Sequence, residues 1–298
     1  MDRKIDIFQY NAFTDIPFAG NPAGVVTEAE GLPDDTMQAI ARQLNLAETA
    51  FLVPPDDPGA DIRLRWFTPA MEVTLCGHAT IAAFAAAAEH GLFPVEESGE
   101  RELKVETLSG LLRVRISRQD GRPQIAMQIP VPTFAPLELD GDAFARAWGI
   151  GLDALAGEWL SHTRLDYWYI PVRDRAALRA LRLDREKLSA VHDRAAFAFF
   201  TRDTVDPDSD WHLRFFAPFH GVDEDIVTGS AQGPMGVIHL GLAQPAAGEG
   251  WTELKGEQGD LLGRPGRVAV RVYQKNGVVS DLEIAGGAVP MLEGVIRI

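Results

Sequence analysis

Residues 64–80 read LRWFTPAMEVTLCGHAT, and residues 213–231 read LRFFAPFHGVDEDIVTGSA. Each stretch opens Leu-Arg-aromatic-Phe, passes one small residue and reaches a proline, Pro69 or Pro218. Each then ends in a glycine turn, Cys76-Gly77-His78 or Thr228-Gly229-Ser230, followed by an apolar run. The pattern predicts strand, loop and the N-terminus of a buried helix, twice. A spacing of about 150 residues fits duplication of one α+β unit and not a solenoid. A helix N-terminus offers unpaired backbone N–H groups and a partial positive charge, so it suits a carboxylate. Glycine at the turn lets a ligand approach the backbone. One such turn alone reads as a plain helix start. Two turns with polar side chains, if they faced each other, would clamp a small acid.

The rest of the sequence narrows the function. At 298 residues the chain suits two domains of roughly 150 residues each. The best linker candidate is 130–136, PVPTFAP, which predicts domains at 1–129 and 130–298. The last strand, about 285–298, is a candidate to cross back to the first domain. The net charge is −15, from 43 acidic and 28 basic residues. That excess disfavours nucleic acid and anionic membrane as partners. The longest apolar run, 79–88, is too short to span a bilayer. The N-terminus, MDRKIDIFQYNAF, lacks the apolar core of a signal peptide. Cys76 is the single cysteine, so no internal disulfide can form, and a cytoplasmic location is expected.

Read in order, 4–12 predicts a strand with Ile5 and Ile7 on one face, and 24–27 a second strand. Residues 32–46 predict a helix with Pro33 in its first turn and Met37, Ile40, Ala41 and Leu44 on one face. Asn45 suits its ending. Strands are expected at 49–53 and 61–67, a helix at 79–89 closed by Gly91, and strands at 102–107, 111–117 and 124–128. The second half predicts a helix at 142–148, a strand at 168–172 and helices at 175–181 and 184–191. Strands at 196–201 and 212–216 follow, then a helix at 231–242 weakened by Gly233, Pro234 and Gly236. Strands at 251–255, 268–273, 278–284 and 287–298 close the chain.

Glu48 lies at a helix-to-strand junction between Ala47 and Ala50, with Leu46 and Phe51 beyond. Spacing alone favours a surface glutamate there; the functional reading is a general acid/base. His78 and Ser230 read equally as helix caps. Asp225 closes Asp223-Glu224-Asp225, an acidic run that on its own reads as a solvated loop. No His/Cys/Asp cluster shows metal-ligand spacing along the sequence.

The stretches YNAFTDIPFAGNPAGVV, NLAETAFL, RWFTPAMEVTLCGHAT and EDIVTGSA occur in this order across nearly the whole chain. They resemble the phenazine-biosynthesis-protein-F (PhzF-like) isomerase family. The resemblance implies the diaminopimelate-epimerase-like fold: two similar α+β domains, each a curled, mostly antiparallel sheet round a central helix. It implies a cofactor-independent isomerase like trans-2,3-dihydro-3-hydroxyanthranilate isomerase, with no metal and no organic cofactor. The family's acid/base glutamate falls on Glu48, and its substrate-contacting histidine, aspartate and serine fall on His78, Asp225 and Ser230. Gly77 and Gly229 would offer backbone N–H groups. Many members carry Pro after the aspartate and His two residues after the serine; here these are Ile226 and Gln232. The expected partners are a small anionic substrate and, at most, a second copy of the chain in a homodimer.

Two other readings belong beside this one. A racemase or epimerase of the same fold would use two thiols, one at the start of each turn. Cys76 stands at the first and Thr228 at the second, and one cysteine cannot supply two thiols. A non-catalytic binding protein is the third reading; it would show no deuterium exchange into a bound acid.

Overall fold

The computed structural model describes residues 3–241 and 249–298. Two compact units make up the chain. The first gathers Met1–Ile129, Gly266–Val268 and Glu283–Ile298, the second Pro130–Pro265 and Ala269–Leu282.

From its N-terminus the first unit runs β1 (Lys4–Ala12), β2 (Asn21–Val26), α1 (Asp34–Leu44), β3 (Thr49–Val53), β4 (Ile62–Phe67) and the two-residue β5 (Glu72–Val73). It continues with α2 (Gly77–Glu89), β6 (Glu100–Thr107), β7 (Gly110–Gln119) and β8 (Arg122–Gln128). The second unit opens with β9 (Phe134–Pro136), α3 (Gly141–Ala147), β10 (Leu160–His162), β11 (Tyr167–Pro171), α4 (Arg175–Ala180) and α5 (Arg185–Val191). Next come β12 (Ala196–Thr201), β13 (Trp211–Ala217), β14 (Val222–Asp225), α6 (Gly229–His239) and β15 (Glu249–Gln258). The chain closes with β16 (Gly266–Lys275), β17 (Val278–Gly286) and β18 (Ala288–Arg297).

In the first unit α2 is the centre. Its residues Gly77–Ala88 are all buried, and it packs against β1, β2, β3, β7, β8 and β18. Seven alanines explain this placement. Alanine is the best helix former, and its small side chain lets strands approach on every side. The helix ends at His90, with Gly91 at φ 79° and the Leu92 N–H bonded back to the Ala87 carbonyl, a Schellman closure. The expected face of α1 packs with Ile5, Ile7, Phe51 and Phe67. That helix is shorter than its pattern suggested, because Pro33 stays extended (ψ 153°) as N-cap and Asn45 turns left-handed (φ 52°).

The second unit repeats the order. Both β2–β3 and β11–β12 are parallel pairs with helices between them, and β3–β4 and β12–β13 are antiparallel. The echo extends to individual contacts. The Arg65 guanidinium makes two 2.7 Å bonds to Glu72 and lies 5.1 Å from the Phe67 ring. The Arg214 guanidinium makes two 2.7 Å bonds to Glu224 and lies 4.7 Å from the Phe216 ring. The Glu106 carboxylate accepts the N–H groups of Asp56 and Asp57, and Glu257 those of Val205 and Asp206. The Lys104 N–H donates to Asp61 at 2.7 Å, the Lys255 N–H to Asp210 at 2.8 Å. The two units thus share individual hydrogen bonds as well as the order of their elements.

The acidic run at Asp223-Glu224-Asp225 is not a solvated loop. It forms β14 against β13, because Arg214 holds Glu224 and Arg185 holds Asp223. Helices α2 and α6 both begin two residues earlier than expected, at the turn glycines themselves. The expected end of α6 at Leu242 lies outside the described residues. The short strands β5, β9 and β10 carry too few residues for a periodic signal.

Candidate active site

Glu48 sits between the end of α1 and the start of β3. Its carbonyl accepts the Gly24 N–H at 3.0 Å, which ties the residue to the β2–β3 ladder. Its side chain is 21% exposed, and its Oε2 lies 3.3 Å from Nε2 of His78, whose side chain is 7% exposed. Nδ1 of His78 lies 3.5 Å from the Cys76 sulfur. The three side chains form one cluster, with a ligating atom from each within 4.8 Å of the others. Linear spacing hid this cluster, because Glu48 belongs to a different element from Cys76 and His78.

His78 occupies the first turn of α2, after the N-cap Cys76 and Gly77. The Thr80 hydroxyl donates to the Cys76 carbonyl at 2.6 Å and fixes the turn. No side chain caps α2. The same holds for α6, where the N-cap is Thr228, a residue well suited to capping. Its hydroxyl is directed elsewhere: it donates to Asp225 Oδ2 at 2.6 Å. By contrast, α3, α4 and α5 are capped by the side chains of Asp140, Asp174 and Asp184. In the two buried helices that open on the glycine turns, the N-cap side chain makes no cap hydrogen bond to the first turn. That is the arrangement suited to an anionic ligand.

In the second unit Asp225 and Ser230 flank the start of α6. The Ser230 hydroxyl lies 3.4 Å from the Tyr167 hydroxyl. Pro234 has no N–H to donate to the Ser230 carbonyl one turn earlier. Beneath the turn lies a buried polar chain. Trp211 Nε1–H donates to Gln232 Oε1 at 2.6 Å, and Gln232 Nε2 donates to Gln258 Oε1 at 3.1 Å. Gln258 Nε2 donates to the Asp225 carbonyl at 3.0 Å and to the Thr228 hydroxyl at 3.1 Å, while its Oε1 also accepts the Thr228 N–H. This chain gives Gln232 its role: it spans Trp211 and Gln258. A Cβ at Gly256 would lie 2.0 Å from Gln232 Oε1 and 2.4 Å from Trp211 Nε1, so the crossing needs glycine there. Ile226 is half-buried beside Asp225. Trp211, Tyr167 and Gln258 carried no signal in the sequence, since each reads as an ordinary strand residue.

The structure thus brings Glu48 and His78 together with Gly77, and Asp225 and Ser230 together with Gly229, each group within one unit. The sequence profile of phenazine biosynthesis-like proteins matches residues 10–294. The chain belongs to the phenazine biosynthesis-like protein family. Among its relatives, the uncharacterized isomerase YfhB of Bacillus subtilis is 33% identical, over 99% of this chain and all of that protein. The trans-2,3-dihydro-3-hydroxyanthranilate isomerase of Pseudomonas chlororaphis is 32% identical, over 96% of this chain and 97% of that one. The PhzF-family phenazine biosynthesis protein of Bacillus anthracis superposes with a TM-score of 0.88 at 30% identity, over 99% of this chain and 100% of that one. A hydroxyproline epimerase of Agrobacterium vitis shares the fold alone, at 14% identity and a TM-score of 0.59, over 99% and 93% of the two chains. The fold is therefore the diaminopimelate-epimerase-like one, and the enzyme class is isomerase. No helix among the described residues is long and apolar enough to cross a membrane.

Proposed function

We propose that this chain is a cofactor-independent isomerase that shifts a proton within a small cyclic or unsaturated amino or hydroxy acid. The substrate class resembles trans-2,3-dihydro-3-hydroxyanthranilate, after the name of the Pseudomonas relatives. The observation that carries the reading is the Glu48 carboxylate 3.3 Å from His78, at the uncapped start of α2.

In the reaction the Glu48 carboxylate accepts a proton from a substrate carbon. The C–H electron pair moves into the conjugated system, and the Glu48 carboxyl returns the proton to a second carbon. Atoms and charge balance with no metal or organic cofactor in the step. His78 keeps Glu48 oriented and contacts the substrate. The Gly77 N–H at the start of α2 holds its carboxylate. In the second unit the Gly229 N–H and the Ser230 hydroxyl offer donors of the same kind to an anion. In that unit Asp225 is oriented by the Thr228 hydroxyl, an arrangement suited to an amino or hydroxyl group.

An epimerase of this fold needs a second acid/base on the opposite face of the carbon. Strand register supports the single-base reading. Phe51 is opposite Arg65 and Phe199 opposite Arg214, so the position that answers Glu48 is Ala196. Thr228 answers Cys76, and its hydroxyl already donates to Asp225.

Glu48→Gln tests the proposal. It keeps the size of the side chain and removes the transferable proton. We expect kcat to fall by far more than tenfold, with folding and ligand binding retained. A loss under about tenfold, ~1.4 kcal/mol of barrier, would remove Glu48 from the mechanism.

A further inference from the structure

We propose that Glu48, Cys76 and His78 form a three-ligand binding site for zinc, and that zinc bound there blocks the isomerase reversibly. Thiolate, imidazole and carboxylate together are a donor set for a borderline divalent ion, and they disfavour magnesium and calcium. The spacing is close to what zinc needs. Bonds of about 2.0–2.3 Å in a tetrahedral site set the ligand atoms about 3.3–3.7 Å apart. His78 Nε2 lies 3.3 Å from Glu48 Oε2, and its Nδ1 lies 3.5 Å from the Cys76 sulfur. One imidazole nitrogen would serve the ion, so only one of these two spacings holds at the site. Since the ligating atoms all lie within 4.8 Å of one another, the widest pair needs to close by only about 1 Å.

Placement adds to the donor chemistry. The sulfur and imidazole sit on one rigid turn, since Cys76 and His78 open the buried helix α2 and the Thr80 hydroxyl locks the Cys76 carbonyl. Cys76 is 7% exposed, and the more exposed Glu48 marks the side from which an ion enters. Three protein ligands leave a fourth position for water. A thiolate and a carboxylate together offset the two positive charges of the ion, and binding releases the thiol proton. The consequence for turnover rests on the reading of Glu48 as the proton carrier. A carboxylate bonded to zinc cannot take up a substrate proton, so the ion acts as an inhibitor and not as a cofactor.

The test titrates the full-length, metal-free protein with Co2+, then measures zinc affinity by competition with a chromophoric chelator. The expected result is one ion per chain, with a near-ultraviolet cobalt–thiolate band. The band should vanish in Cys76→Ser, and zinc affinity should fall at least tenfold in both Cys76→Ser and Glu48→Gln. Circular dichroism confirms that the variants fold. Magnesium should neither compete nor inhibit. Absence of the thiolate band, or the same zinc affinity in Cys76→Ser, would overturn the site. In the same samples zinc should stop turnover and EDTA restore it. Zinc that binds with the thiolate band yet leaves turnover intact would overturn the inhibition and the proton-carrier reading of Glu48, while the binding site stands.

Discussion

Thr228 is the residue whose behaviour departs most from its type. At the N-cap of a helix a threonine normally accepts a backbone N–H. Here its hydroxyl donates to Asp225 and accepts from Gln258, so it aims a carboxylate instead of capping α6. A hydrogen bond to a charged group is worth about 1.5–3 kcal/mol. Thr228→Val keeps the shape and removes that bond. We expect KM to rise about tenfold or more while kcat changes less, as steady-state kinetics would show. An unchanged KM would mean that the bond serves the fold alone. The sequence motif placed Asp225 and Ser230 at this turn. It could not show Gln258, because a glutamine at the end of a strand has no periodic or spacing signature. Nor could it show that Glu48 meets His78, which depends on how β3 lies beside α2 and not on distance along the chain.

At the scale of elements, α2 and α6 solve one problem in two ways. Alanine lets strands close on α2, and glycine does so at α6. A Cβ at Gly236 would lie 2.6 Å from Val270 Cγ1, a buried methyl group on β16. Gly236→Ala gains at most about 1 kcal/mol of helix propensity. Overpacking against a strand that cannot yield costs about 1–3 kcal/mol. The clash should win, and denaturant unfolding should show net destabilisation; a more stable variant would show that β16 gives way. Helix α1 and alternating strands such as β7 were readable from the sequence because their apolar period is strong, and α2 because of its alanine-rich apolar run. Their ends were less so. The first-turn positions of Gly77 and Gly229 depend on backbone angles that composition does not report. The acidic run became β14 through its partners Arg214 and Arg185, which lie outside the run itself.

For the whole molecule, three histidines bear on the response to acid. His162, His192 and His239 all lie in the second unit, and each has its pKa lowered from 6.5, chiefly because burial disfavours the charged ring. For His192 and His239 the neighbouring Asp166 and Asp210 partly oppose the shift. A folded pKa below the unfolded one means that the unfolded chain binds more protons between the two. The stabilisation is therefore complete above about pH 6.5 and is lost as pH falls through the lower, folded values. The Glu257 carboxyl adds to this at lower pH. Burial would raise its pKa, but the bonds from His212, Val205 and Asp206 hold it below the usual 4.5. Thermal unfolding followed against pH should show the midpoint falling below pH 6.5. A midpoint flat from pH 7 to pH 5 would contradict this.

Deuterium exchange tests whether Glu48 moves a substrate proton unaided by a cofactor. The protein is incubated in heavy water with EDTA and a panel of cyclic and unsaturated amino and hydroxy acids, trans-2,3-dihydro-3-hydroxyanthranilate included. Deuterium at substrate carbons is then read by NMR. The expected result is incorporation into at least one acid by the wild-type protein and none by Glu48→Gln. Equal incorporation by both proteins, or none by the wild type with any acid, would contradict it.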